Sequence, residues 1–243
     1  MKTLRPVEMA WMASLAVLAL SGSIASGQLS SGTPAGVNAA LTRLFGSTTA
    51  FTAAVEARVL DPSGQELLRM PMGFAELDGK LRLEIDVGKI HSANLSAKQV
   101  AAIRDAGLAQ MVTLIRPDRK SSYILYPAVQ NYTVMSMSRE EADAAGSKLK
   151  LEKTALGKTT VDGHSCVQNR SLVKDGAKVI LDATTWNATD LRDFPIRIET
   201  KDQGNTSILQ FRKLQFTRPD SNLFEIPPRY QRAGWSVKTG PGK

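Results

Sequence analysis

Two histidines and a single cysteine are the residues of this chain with the most obvious capacity for nucleophilic or metal chemistry. His91 and His164 lie far apart in sequence, and no H-E-x-x-H, C-x-x-C or G-x-S-x-G pattern occurs. His164 and Cys166 are two positions apart in a segment of strand character, where alternate residues face one side. That spacing admits a Cys–His nucleophile pair or half a metal site. The alternative is a core-facing Cys beside a His at the strand's entry. Asp190 and Asp193 flank Arg192 close to Trp186. Acid–base work on a glycan needs two carboxylates opposed across a cleft, and these two fall within one turn. The residues point to a non-enzymatic protein with no metal site and no cofactor.

A set of Met, aromatic and aliphatic residues carries the stronger signal. Met70, Met72 and Phe74 share one face of a strand; Leu83, Ile85, Tyr123, Leu125, Tyr132 and Trp186 come from other strands. Flexible thioethers and aromatic walls suit a cavity that accepts acyl chains of varied shape. A closed core uses the same residues, and composition does not separate the two. Leu41 and Leu44 on one helical stripe, and Val100 and Ile103 on another, are the candidate lid residues.

The elements that must position this set follow from periodicity. Residues 37–45 place Val37, Leu41 and Leu44 on one helical face. Residues 51–59 alternate apolar with mixed residues and predict a half-buried strand. Pro71 inside the next strand predicts an edge position or a bulge. Asp78-Gly79 predicts a hairpin turn into a strand of Leu81, Leu83, Ile85 and Val87. Residues 95–108 change to helical spacing, with Ser96 and Gln99 set as a capping box and Gly107 as a stop. Residues 114–134 form a hairpin about Pro117-Asp118, and residues 138–145 form a second capped helix. From Lys148 onward strands return to the end of the domain. The sum is a mainly β, α+β fold: a strongly curved antiparallel sheet of about eleven strands, an incomplete β-barrel with helices as a lid.

The ends carry different signals. A basic start (Lys2, Arg5), an apolar run over residues 9–20 and small residues after it predict a cleavable signal peptide over residues 1–25. Cleavage falls after Ala25 or after Gly27, and an uncleaved N-terminal anchor is the rival. The run lacks a following Cys, so a lipid-anchored N-terminus is not expected. Residues 26–36 predict a flexible linker, 37–228 a single domain, and 229–243 a basic disordered tail. The expected location is the periplasm, and the expected state a monomer. With one cysteine, no intramolecular disulfide can form. The formal charge of +8 suits an anionic envelope surface, met through Arg229, Arg232, Lys238 and Lys243. Charge spread over the surface for solubility is the alternative. No Lys/Arg cluster stands beside stacked aromatics, so nucleic acid is not an expected partner.

Several motifs in order resemble a known family. Gly79-Lys80-Leu81-Arg82-Leu83-Glu84-Ile85, the I-R-P-D hairpin at 115–118 and the Tyr-x-x-Tyr-Pro run from Tyr123 to Pro127 are similar to periplasmic lipoprotein carriers of the LolA/LolB type. The segment Gly157-Lys158-x-x-Val161-Asp162-Gly163-His164-x-Cys166 and the closing Leu223-Phe224-Glu225-Ile226-Pro227 with Tyr230 resemble relatives of that type whose function is unknown. The resemblance covers roughly residues 37–230. It implies a half-pipe of about eleven strands, lidded by helices over an apolar cavity that in the carriers holds the acyl chains of a lipoprotein in transit. The chain departs from the family in its basic Gly/Pro tail and in lacking a lipid-attachment cysteine, which excludes a LolB-like anchored receptor. A lipid or an acylated protein is therefore the expected partner. The alternative is an envelope interaction module with a filled core and no ligand.

Overall fold

A computed structural model describes residues 37–92, 94–146 and 148–233. The expected signal peptide, the linker and residues 234–243 of the expected tail lie outside them. In chain order the elements are α1 (Val37–Leu44), β1 (Ala50–Leu60), β2 (Glu66–Leu77), β3 (Lys80–Asp86), the short β4 (His91–Ser92), α2 (Ala97–Asp105), β5 (Gln110–Arg116), β6 (Ser121–Tyr126) and β7 (Asn131–Ser136). Then come α3 (Arg139–Gly146), β8 (Lys150–Val161), β9 (His164–Asp175), β10 (Lys178–Ala188), β11 (Phe194–Asp202), β12 (Asn205–Gln215) and the short β13 (Gln231–Arg232). Eleven of these strands are six residues or longer, as the periodicity predicts; β4 and β13 have two residues each.

All of them join one sheet, ordered β13-β7-β6-β5-β3-β2-β1-β12-β11-β10-β9-β8, with β4 on β2. The sheet is curved and unclosed: β8 and β13 end it and do not pair with each other. Neighbours are antiparallel except β13, which runs parallel to β7. The connectivity has one long step. After β7 the chain crosses through α3 to the far edge, then winds back strand by strand until β12 pairs with β1, Val55 opposite Phe211. The β1–β12 seam thus zips two halves of the sheet together.

Period-two alternation decides the two faces. On β1, Phe51, Ala53, Val55, Ala57 and Val59 are buried on the face that α1 covers, here the inner face. Met70, Met72 and Phe74 of β2, Leu81, Leu83 and Ile85 of β3, and Leu209 and Phe211 of β12 continue it. Asp78 and Gly79, both at positive φ (50° and 83°), make the tight β2–β3 turn that the dipeptide predicts.

Pro71 is neither on an edge strand nor in a bulge. It sits in a central strand, in regular register opposite Glu56. On its other side β3 pairs only as far as Met72, and β4 picks up at Arg69. Pro71 fills the gap between the two partners, where no ladder donor is required.

The outer face is sealed on one half by the chain's end. Phe224, fully buried, packs with Ala75 and Leu77. Arg116, with its side chain 4% exposed, holds that segment in place. It donates twice to Asp118 (2.9 and 2.7 Å), to the Phe224 carbonyl (2.7 Å) and to Glu225 Oε1 (2.8 Å). The hydrogen bonds to Asp118, more than those to Glu225, hold the guanidinium firmly protonated. Arg119 takes the second Glu225 oxygen at 2.7 Å, and Arg82 donates to the Leu223 carbonyl at 2.7 Å. This explains the closing Leu-Phe-x-Ile-Pro motif. Of the expected disordered tail, residues 229–233 are described, and part of them is packed on the sheet: Tyr230 lies beside Tyr123 and Tyr132, and Gln231 and Arg232 pair with Asn131 and Tyr132.

Replacing Arg116 by Met strands a buried carbonyl and leaves carboxylates without their partner. The expected loss is roughly 2–4 kcal/mol of unfolding free energy, read as a lower urea midpoint at pH 7. An unchanged midpoint would show that the C-terminal segment is held by Phe224 alone.

Candidate functional site

The inner face forms a trough whose floor is aromatic. Phe51 (β1), Phe74 (β2), Phe194 (β11) and Phe211 (β12) converge there, and Phe45, in the turn after α1, is set among all four. Its ring lies 5.0 Å from Phe51, 5.9 Å from Phe74 and 5.7 Å from Phe211, all edge-on, and is stacked on Phe194 at 5.4 Å. Edge-to-face and offset pairs at these separations are the favoured aromatic geometries. Val37, Ala40, Leu41 and Leu44 of α1 are buried with them. The helix lies toward β8, β9 and β10 and toward α3, where Asn38 Nδ2 donates to Glu141 Oε1 at 2.6 Å.

On its other side α1 leaves a cleft of about 150 Å³. Asn38, Ala39 and Thr42 form one wall; Gly79, Lys80 and Leu81, with Ile115 and Pro117, form the other. Pockets that take small organic ligands are commonly around 300–1,000 Å³. This cleft is smaller than that, and among the described residues α1 and the Phe45 ring pack into the trough.

The candidate residues divide between the faces. Met70, Met72, Phe74, Leu83 and Ile85 are brought together on the inner face, and Leu41 and Leu44 lie over the trough. Tyr123, Leu125 and Tyr132 do not join them. They line the outer face, where Leu125 lies opposite Val112 and Tyr132, and Tyr123 opposite Leu114. Trp186 is half-buried and packs against the margin of the inner-face core, its ring under the Arg197 guanidinium at 5.0 Å. Of the second lid stripe, Ile103 is buried in the core and Val100 is half-buried; α2 packs beside the 3₁₀ turn Val87–Lys89 at the rim. Phe45, Phe51, Phe194 and Phe211 were missed as a set. Phe51, Phe194 and Phe211 lie on strands distant in sequence and Phe45 lies in a turn, so no local pattern marks them.

One charged group lies on the inner face among these rings. Glu76 is 2% exposed; Oε1 accepts from the Gly79 N–H at 2.9 Å, and Oε2 has no partner. Burial pushes its carboxyl up from 4.5 to about 7; the Gly79 hydrogen bond opposes this, and nearby Asp78 adds to it. An acid with a raised folded pKa contributes its full stability below about pH 4.5 and loses it as pH rises through about 7.

The other candidate chemistry does not assemble. His164 Nδ1 is 2.7 Å from Asp190 Oδ2, and the Cys166 thiol points away, donating to the His164 carbonyl at 3.4 Å. Burial pushes the Cys166 thiol up, against nucleophilic use. Asp193 is paired with Lys153 at 2.7 Å. Among the described residues no group of three or more His, Cys, Asp or Glu could hold a metal ion, and no helix is long and apolar enough to cross a membrane. Arg229 and Arg232 are exposed; Lys238 and Lys243 lie outside the described residues.

No protein-family model matches the chain, and no curated protein matches it. Solved structures do. One is a LolA superfamily protein from Nitrosomonas europaea: 11% identity, 75% of this chain and 93% of that one covered, TM-score 0.37. Another is the lipoprotein LppX of Mycobacterium tuberculosis: 12% identity, 73% and 94% covered, TM-score 0.36. LprF from Mycobacterium bovis gives 12% identity, 75% and 97% covered, and TM-score 0.36.

Alkylation of Cys166 in the folded chain is expected to run at least on the order of 100-fold slower than in the urea-unfolded chain at pH 7.5, given a buried thiol of raised pKa. Equal rates would reopen a reactive-thiol role.

Proposed function

We propose that the chain is a non-enzymatic envelope protein that takes up an acyl chain in the inner trough by displacing α1 and Phe45. The observation that carries this is the mismatch between trough and cover. A continuous Phe/Met/Leu/Ile surface on β1, β2, β3, β11 and β12 is covered by Phe45 and, beside it, by a helix of eight residues that lies toward β8, β9 and β10. Helices so short have little stability of their own and depend on the surface they bury. The helix's polar tie to the rest of the described chain is the Asn38–Glu141 hydrogen bond.

The energetics set the class of ligand. Val37, Leu41, Leu44 and Phe45 bury apolar side chains worth roughly 2 kcal/mol each, about 8–10 kcal/mol together with Ala40. A ligand that takes their place offsets that loss at roughly 0.8 kcal/mol per buried methylene. The exchange becomes even at about 12 methylenes, so long acyl chains fit and short ones do not. Lipids and acylated proteins both present such chains. The basic, apolar and small-residue order of the N-terminal segment supports export to the periplasm, where such cargo moves between membranes. In this reading the chain works as a monomer and needs no cofactor.

Delipidated protein is expected to bind a fluorescent C16 fatty acid at least tenfold more tightly than the C8 analogue. Phe45→Ala loosens the cover and is expected to tighten C16 binding. Binding is expected to survive deletion of residues 234–243 and to vary little with salt. Failure of both the parent chain and Phe45→Ala to take up any probe would leave the filled-core interaction module as the function. That module predicts salt-sensitive association with anionic vesicles, lost with the tail.

A further inference from the structure

Glu76 lies on the inner face of β2, at the end next to the turn that walls the cleft. Its cross-strand partners are Phe51 on β1 and Leu81 on β3, and Phe74 precedes it by two on the same face. Phe45, the ring that seats α1, rests on Phe51 and Phe74. Gly79, whose N–H meets Oε1, and Leu81 are both walls of the cleft. The carboxyl therefore has a ring that seats Phe45 as its cross-strand neighbour and a wall of the cleft as its hydrogen-bond donor.

Its surroundings offer no compensating charge. The next inner-face residues of β1 and β3 are Ala53 and Leu83, and the buried residues of α1 are Val37, Asn38, Ala40, Leu41 and Leu44. The charged groups nearby belong to the rim. Asp78 is taken by Arg218 at 2.5 Å, Asp118 is taken by Arg116, Lys80 lines the cleft, and Arg43 is exposed on α1. None of them donates to Oε2, which is buried without a partner. A carboxylate in such a place demands water or a donor, whereas the neutral acid is tolerated.

We infer that Glu76 is a proton-operated latch on the trough: while its carboxyl is protonated α1 and Phe45 stay seated, and on ionisation the charge draws water through the cleft and unseats them. The latch rests on the reading of α1 as a displaceable cover and adds its regulation. The raised carboxyl places the change near neutral pH. Closing is favoured in acid and opening in mild base.

The test uses the full chain with Cys166→Ser and a reporter thiol at Ala40→Cys, a fully buried position on α1. Alkylation is followed from pH 5.5 to 8.5, each rate divided by that of the same chain unfolded in urea. The normalised rate is expected to rise on the order of 10- to 30-fold, with its midpoint near pH 7. Glu76→Gln and Glu76→Leu are expected to stay slow throughout; two replacements guard against one that folds poorly. A flat profile in the parent chain, or the same rise in both variants, overturns the latch. C16 uptake measured alongside separates the two claims. Uptake without pH dependence sinks the latch and keeps the acyl site. A pH-dependent reporter without uptake keeps the latch and sinks the acyl site.

Discussion

The structure depends on one ring having four others to rest against. Phe45 meets Phe51, Phe74, Phe194 and Phe211, which come from strands on both sides of the β1–β12 seam. β1 opens the sheet in sequence and β12 is its last long strand, so this cluster requires a loop spanning most of the domain to close. Contacts this distant in sequence make folding slow, since loop closure precedes any reward from the contact. α1 inherits the same dependence. A two-turn helix has little reason to persist before the four rings are in place. Its presence therefore reports that the seam is complete.

Much of this architecture is legible in the residues. Strict alternation in β1 and β3, the Asp78-Gly79 turn and the Ser96–Gln99 capping box are local signals, and each is realised. What could not be read is which face lies inside where both are buried. β5 is buried from Met111 to Arg116 on both sides, because the C-terminal segment covers its outer face. The period-two signal vanishes there, and with it the means to assign Tyr123, Leu125 and Tyr132. Their sequence says apolar and aromatic; only the return of residues 223–233 to that face says outer. Pro71 failed for a related reason. The rule that removes Pro from central strands assumes a continuous neighbour, and β2 has two partial ones.

Two buried ionisable groups show opposite solutions on opposite faces. Arg116 has a hydrogen-bond acceptor for each of its nitrogens, so its burial binds a distant segment to the sheet. Glu76 has an acceptor held by one turn amide and another left empty. A fully satisfied buried charge rigidifies its surroundings, whereas a half-satisfied one is tolerable only if it can become neutral. The first belongs where the fold must not move. The second lies beside the one helix whose removal would uncover a trough.

A filled interior does not by itself decide against a carrier. An empty apolar trough of this length in water would collapse or aggregate, because exposed contiguous apolar surface is unfavourable and sticky. A protein that must release its cargo needs something to occupy the space afterwards. An apolar segment of its own chain, bound about as strongly as the cargo, keeps the exchange near balance in either direction. By the same reckoning Val37, Leu41, Leu44 and Phe45 bury apolar surface comparable to roughly a dozen methylenes, and a short link joins α1 to β1. A permanent core element would be expected to interlock on several sides. This one packs on α3 and on β8, β9 and β10, and a cleft borders it on the side of the β2–β3 turn.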